Sequence, residues 1–127
     1  MQLQSHVARA LQHGGIVDIT TIGRRSGLPR RIEIVYHVID GRIWISGMPS
    51  RRARAWLRNL EAEPRFMLHL KGTISADLAA IARVVTDPPE RRRVLEQVAR
   101  AWRRTDIDRM VEWSPLIEVT VDGAAGA

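Results

Sequence analysis

Residues 16–46 read IVDITTIGRRSGLPRRIEIVYHVIDGRIWIS, and this stretch decides the fold class. Ile16 to Ile22 is rich in Val, Ile and Thr, side chains that suit a pleated, half-buried surface. Arg31 to Ile39 is a second run of this kind and Arg42 to Ser46 a third. Asp40-Gly41 stands between the last two, and both residue types tolerate the positive φ of a tight hairpin turn. Gly23-Arg24-Arg25-Ser26-Gly27-Leu28-Pro29-Arg30 joins the first run to the second. Glycines there let the backbone approach a ligand and expose its N–H groups. Guanidinium forks at the same corner match phosphate and carboxylate. The turn is therefore a candidate anion site, the alternative being a solvated, arginine-rich corner.

Outward from this core, residues 1–13 have a helical pattern with Leu3, Val7, Ala10 and Leu11 on one face, stopped by Gly14-Gly15. Gly47 to Ser50 forms a loop. Ser50 is the expected N-cap of a helix over about 52–62, with Trp56, Leu57 and Leu60 as its buried stripe and Pro64 beyond its end. Phe66 to Leu70 is a strand, Lys71-Gly72 a turn, and 74–86 a long β-like run. Asp87 caps a helix that starts at Pro88-Pro89 and reaches Arg104. A short helical piece near 106–112 precedes a closing strand, Leu116 to Val121, and residues 122–127 read as a flexible tail. Strands and helices do not alternate one by one, which argues against a parallel βαβ fold. The expected class is α+β, mainly β: one domain over 1–127, built as a six-stranded antiparallel barrel with peripheral helices.

Composition narrows the chemistry. The net charge is +6, and Lys71 is the single lysine among twenty basic residues. The arginines cluster at 24–31, 51–58, 91–93 and 100–104. Without cysteine there is no disulfide framework, thiol nucleophile or thiolate metal site. No Gly-x-Ser-x-Gly elbow, P-loop or dinucleotide fingerprint occurs. His6, His13, His37 and His69 are scattered without metal-ligand spacing, and His37 and His69 are expected as hydrogen-bonded strand residues. No metal site is expected. Basic charge could draw nucleic acid, yet the interleaved aromatics of single-strand binders are missing, and no nucleic-acid partner is expected. No run approaches the roughly 18 apolar residues of a membrane span, so the expected address is the cytoplasm.

A second anion-binding element follows the third strand: Ser46-Gly47-Met48-Pro49-Ser50-Arg51-Arg52, a loop opening a helix. Free N–H groups and the positive dipole end at a helix start would act with the two arginines. Trp56 and Asn59 lie three apart on that helix. Trp56 is expected in the core first, and Asn59 bonded to backbone rather than to a ligand.

The combination Thr21-Ile22-Gly23-Arg24-Arg25-Ser26-Gly27-Leu28-Pro29-Arg30, with Trp56-Leu57-Arg58-Asn59-Leu60 and Pro64, resembles the deazaflavin-dependent nitroreductase family of split β-barrel oxidoreductases. The likeness extends over about residues 16–121. It implies an FMN-binding-protein-like split barrel that uses the deazaflavin coenzyme F-420, with FMN as the lesser alternative. The cofactor's tail carries a phosphate and several glutamates, which suits the arginine turn. By position, Arg24, Arg25, Ser26, Gly27 and Arg30 would hold the phosphate and tail. Ser46, Gly47 and Met48 would pass along the deazaflavin edge, Arg51 and Arg52 would neutralise the tail, and Trp56 and Asn59 would shape the groove. The implied reaction is hydride transfer to a quinone, enone or nitro compound, with no catalytic side chain assigned. A non-catalytic barrel holding FMN, haem, a tetrapyrrole or a fatty acid is the alternative. Barrels of this type often form homodimers.

Overall fold

The computed structural model, which describes residues 3–123, is a closed antiparallel barrel of six strands with four helices around it. In chain order the elements are α1 (Ser5–Leu11), β1 (Gly15–Ile22), β2 (Pro29–Ile39), β3 (Arg42–Ser46), α2 (Ala55–Ala62), β4 (Arg65–Leu70), β5 (Ala76–Val84), α3 (Pro88–Trp102), α4 (Ile107–Trp113) and β6 (Leu116–Val121). Around the barrel the order is β1-β2-β3-β6-β5-β4, and β4 pairs back onto β1. Closure leaves no strand edge open to a foreign chain. This is the mainly-β barrel with peripheral helices that the sequence leads one to expect.

Alternation along the strands sorts side chains between the barrel interior and its outer face. Val17 and Ile19 of β1 meet Ile45, Leu68, Leu78, Ile117 and Val121 in the inner core. Helices α1 and α2 contribute Val7, Leu11, Trp56 and Leu60 to it. The Tyr36 hydroxyl donates to the Leu11 carbonyl at 2.8 Å, tying α1 to β2. Trp44 and Leu116 form a second core with Val94, Leu95 and Val98 of α3 and Met110 of α4. The α3–α4 pair thus covers the outside of the β3–β6 ladder.

Local signals largely hold. Asp40 and Gly41 both take positive φ, 54° and 74°, as the hairpin requires. The Asp87 carboxylate accepts the Glu90 N–H at 3.1 Å at the start of α3. Four boundaries shift. The first helix covers only Ser5–Leu11, with Met1 and Gln2 outside the described residues. β2 begins at Pro29, because Ile22 and Thr21 still pair with Pro29 and Arg30. The run over 74–86 contracts to Ala76–Val84, and α3 ends at Trp102, before Arg103 enters the left-handed region at φ 54°. Residues 124–127 of the expected tail lie outside the described residues.

The larger correction concerns Ser50. Its hydroxyl accepts the Arg52 N–H at 3.1 Å in a local turn, and does not cap a helix. The chain bends at Arg51 and Arg52 and is extended at Arg54 (φ −81°, ψ 137°), which is the true N-cap position of α2 and has no side-chain cap.

Candidate functional site

The Gly23 turn is built by its own backbone. Gly23 N–H donates to the Leu28 carbonyl and Gly27 N–H to the Gly23 carbonyl, each at 2.8 Å. Ser26 Oγ accepts the Leu28 N–H at 3.1 Å. A Cβ on residue 23 would stand 2.5 Å from Ser26 Oγ, a contact that only glycine avoids.

Asn59 then fastens this turn to α2. Its Oδ1 accepts the Arg24 backbone N–H at 3.1 Å and Arg24 Nη1 at 3.2 Å. Its Nδ2 donates to Thr21 Oγ1 at 3.1 Å. Asn59 and Thr21 are 4 % and 1 % exposed, so the staple is sheltered from competing water. Asn59 therefore bonds backbone, as expected, and also a guanidinium that borders the site.

Arg24, Arg25, Ser26, Arg30, Trp56 and Asn59 share one pocket of about 550 Å³. This lies within the range typical of small-molecule sites. Trp56 belongs to the inner core while showing one face to the pocket. Arg54 joins the same lining, a residue that sequence reading did not assign to the site because it placed the helix start three residues too early.

The arginines of this pocket lie outside the ion pairs of the barrel surface. Arg31 and Lys71 pair with Asp18, Arg42 and Arg83 with Glu118, Arg58 with Glu61, Arg65 with Glu63, Arg92 with Asp108 and Arg104 with Asp106. Among the described residues, no carboxylate pairs with Arg24, Arg25, Arg30 or Arg54. Four permanent cations facing one concavity raise the local concentration of any anion.

The remaining expected residues sit elsewhere. Arg51 and Arg52 line an adjoining groove of about 370 Å³, where the Arg51 guanidinium lies 5.5 Å from the Trp113 ring centroid. Their expected support from a helix N-terminus is absent, since α2 starts only at Ala55. Arg54 borders both cavities. Its Nη2 donates to the Met48 carbonyl at 2.8 Å, and its guanidinium packs on Gly47. Met48 is exposed, with Arg104 Nη1 at 2.9 Å from its sulfur. Ser46 is buried, and its hydroxyl donates to the Pro115 carbonyl at 2.7 Å. Gly27 closes the turn at φ 71° outside the pocket lining. Among the described residues no cluster of His, Asp and Glu could hold a metal ion. No helix among them is long and apolar enough to cross a membrane.

A family model described as F420H2-dependent quinone reductase matches residues 1–123. No curated protein matches the chain. Among solved structures, a conserved hypothetical protein from Mycobacterium tuberculosis superposes with a TM-score of 0.71 at 21 % identity, over 96 % of this chain and 82 % of that one. A structure titled F420 reductase gives 0.70 at 13 % identity, over 94 % and 95 %. The haem storage protein HutZ of Vibrio cholerae gives 0.66 at 16 % identity, over 96 % and 92 %. At such identities the structural likeness speaks for the fold.

Proposed function

The chain belongs to the F420H2-dependent quinone reductase family, and from that premise we propose that it anchors reduced coenzyme F-420 by its phosphate and glutamates in the arginine pocket and reduces a quinone, enone or nitro compound. The donor set suits that cofactor. Its tail is a chain of anions, and the pocket offers Arg24, Arg25, Arg30 and Arg54 with no carboxylate paired to them among the described residues. This unneutralised convergence is the observation that carries the proposal.

In this reading Arg24, Arg25, Ser26, Gly27 and Arg30 hold the phosphate end. Arg51 and Arg52 accept glutamates further along the adjoining groove, with Arg54 common to both cavities. The chain at Ser46, Gly47 and Met48 borders the deazaflavin edge. When bound, the reduced deazaflavin supplies the hydride. The protein orients the reactants, which removes much of the entropic part of the barrier. Trp56 provides an apolar wall that limits water. No side chain is assigned a proton-transfer role in this step.

Fluorescence titration of the purified protein with F-420, beside FMN as comparison, tests the assignment. Arg24→Ala and Arg25→Ala should each weaken F-420 by about 1–3 kcal/mol, the usual range for a charge-assisted contact. Full affinity in the double variant moves the site elsewhere. The reading also includes a homodimer, supported by a structural neighbour titled a domain-swapped dimer. Light scattering that returns the monomer mass removes that part alone.

A further inference from the structure

On the outer face of the barrel, away from the arginine pocket, three side chains form a continuous polar chain. Thr20 Oγ1 lies 2.7 Å from His69 Nε2, and His69 Nδ1 lies 2.7 Å from Asp77 Oδ1. Strand register creates the alignment. His69 pairs directly with Asp18 of β1 on one side and with Asp77 of β5 on the other. Thr20, two residues beyond Asp18, shares its face and is the diagonal neighbour of His69. An ionised Asp77 can only accept, so Nδ1 carries the proton and Nε2 accepts from the Thr20 hydroxyl.

The chain is graded in exposure. The His69 side chain is 9 % exposed and that of Asp77 72 %. Thr20 forms part of the wall of a concavity of about 890 Å³, whose lining includes Ile22, Met67, Ala79 and Ile81. Ile22 and Ile81 are exposed there. The charged residues of that lining are Asp122 and Arg65, the latter paired with Glu63.

We propose that Thr20, His69 and Asp77 constitute a second reactive site that transfers acyl groups from esters with an apolar acyl chain, independently of F-420. The Thr20 oxygen bonds to the ester carbonyl carbon while His69 Nε2 takes the hydroxyl proton. The ester C–O bond breaks, the proton passes from His69 to the departing alcohol, and Thr20 is left acylated. Water then attacks the same carbon, with His69 again taking its proton, and hydrolysis returns Thr20 and a carboxylic acid. No electrons are exchanged with any other reactant. The apolar groove holds the acyl chain, and Asp77 fixes the imidazole tautomer.

The test is hydrolysis of p-nitrophenyl butyrate by protein free of F-420, with acid-quenched peptide mapping of the acyl group. The wild type should exceed free imidazole at equal concentration. Thr20→Val and His69→Gln should lose at least about a hundredfold, the lower end of the usual range of general-base effects. Thr20→Ser should retain the reaction, and Asp77→Asn, at an exposed position that leaves folding intact, should show an intermediate loss. Acyl mass should map to Thr20. A wild-type rate no faster than that of Thr20→Val, or acyl mass on Lys71 instead of Thr20, overturns the proposal. F-420 titration of Thr20→Val should match wild type, which separates this site from the reductase assignment. If Thr20→Val or His69→Gln melts early, an Asp77→Asn rate equal to wild type refutes the proposal on its own.

Discussion

Asn59→Asp separates the structural from the electrostatic role of the staple. Aspartate has nearly the same shape, and its carboxylate still accepts the two Arg24 bonds now seen at 3.1 and 3.2 Å. The contact to the guanidinium, already charge-assisted, becomes an ion pair and gains strength. The bond from Nδ2 to Thr21 Oγ1 is lost as such, but the threonine hydroxyl can turn and donate instead. Folding stability should therefore change by less than about 1–2 kcal/mol. Anion binding should suffer more, because one of four cations is neutralised from within. A bound anionic group at roughly 6 Å, with an effective dielectric constant of about 20–40, meets a repulsion of roughly 1.4–2.8 kcal/mol. That corresponds to roughly 10–100-fold weaker binding.

The assay pairs F-420 fluorescence titration with thermal melting, and Asn59→Leu serves as counterpart. Leucine keeps the volume but abandons all three hydrogen bonds, so it should cost about 2–4 kcal/mol of stability. The two variants thus predict opposite patterns: affinity lost with the fold retained for aspartate, stability lost for leucine. Wild-type F-420 affinity in Asn59→Asp would refute the reasoning, because an anion beside Arg24 could not ignore the new carboxylate.

Three further substitutions probe other parts of the argument. In Gly47→Ala the new Cβ would stand 3.1 Å from Arg54 Cζ and 3.2 Å from Pro115 Cγ. The flexible arginine should yield, leave the Met48 carbonyl, and weaken F-420 by about 0.5–1.5 kcal/mol in the same titration. Arg91 donates to the carbonyls of Val111 at 2.8 Å, Val85 at 3.0 Å and Ser114 at 2.5 Å, joining α3 to α4 and to the end of β5. Arg91→Met should cost about 2–4 kcal/mol in urea melts while F-420 affinity stays at the wild-type value. Burial pushes the His37 imidazole below its ordinary 6.5, and its Nε2 is buried beside the Trp102 ring with no partner among the described residues. The unfolded chain takes up this proton at a higher pH than the folded one. The contribution is thus complete above pH 6.5 and is lost as pH falls through the lower folded value. His37→Phe should flatten this slope, and a slope unchanged in the variant would assign it to other groups.

How much of this could be read beforehand follows from the range of each interaction. Asp40-Gly41 and Asp87 announce their turn and cap because the bonds they make span only a few residues. Arg42–Ser46 and Leu116–Val121 match the expected strands for the same reason. Ser50 misled because its hydroxyl has two local options, and the turn to Arg52 wins over capping. That single choice moved the helix start and hid Arg54. The Asn59 staple was half legible: the helix face was readable, but the partner 35 residues away depends on how α2 lies over β1. The Thr20–His69 contact was not legible at all. Nothing local reports that β4 returns to β1, and the sequence separation is 49 residues.

Thr20 and Thr21 show why that topology matters for chemistry. Adjacent strand residues point to opposite faces, so Thr21 reaches inward to Asn59 while Thr20 reaches outward to His69. A slip of β1 by one residue would exchange them, and would also turn Val17 and Ile19 out of the core. The register resists this because β1 is held on both sides, from Gly15↔Tyr36 to Ile22↔Pro29 against β2 and from Val17↔Leu70 to Thr20↔Met67 against β4. The two neighbouring hydroxyls would therefore serve the two proposed sites, which share backbone but no side chain. Thr21→Val should disturb Arg24 and F-420 binding while sparing ester hydrolysis, and Thr20→Val should do the reverse. Parallel loss of both activities in either variant would mean that the strand itself had moved, and would point to register rather than side-chain chemistry as the property lost.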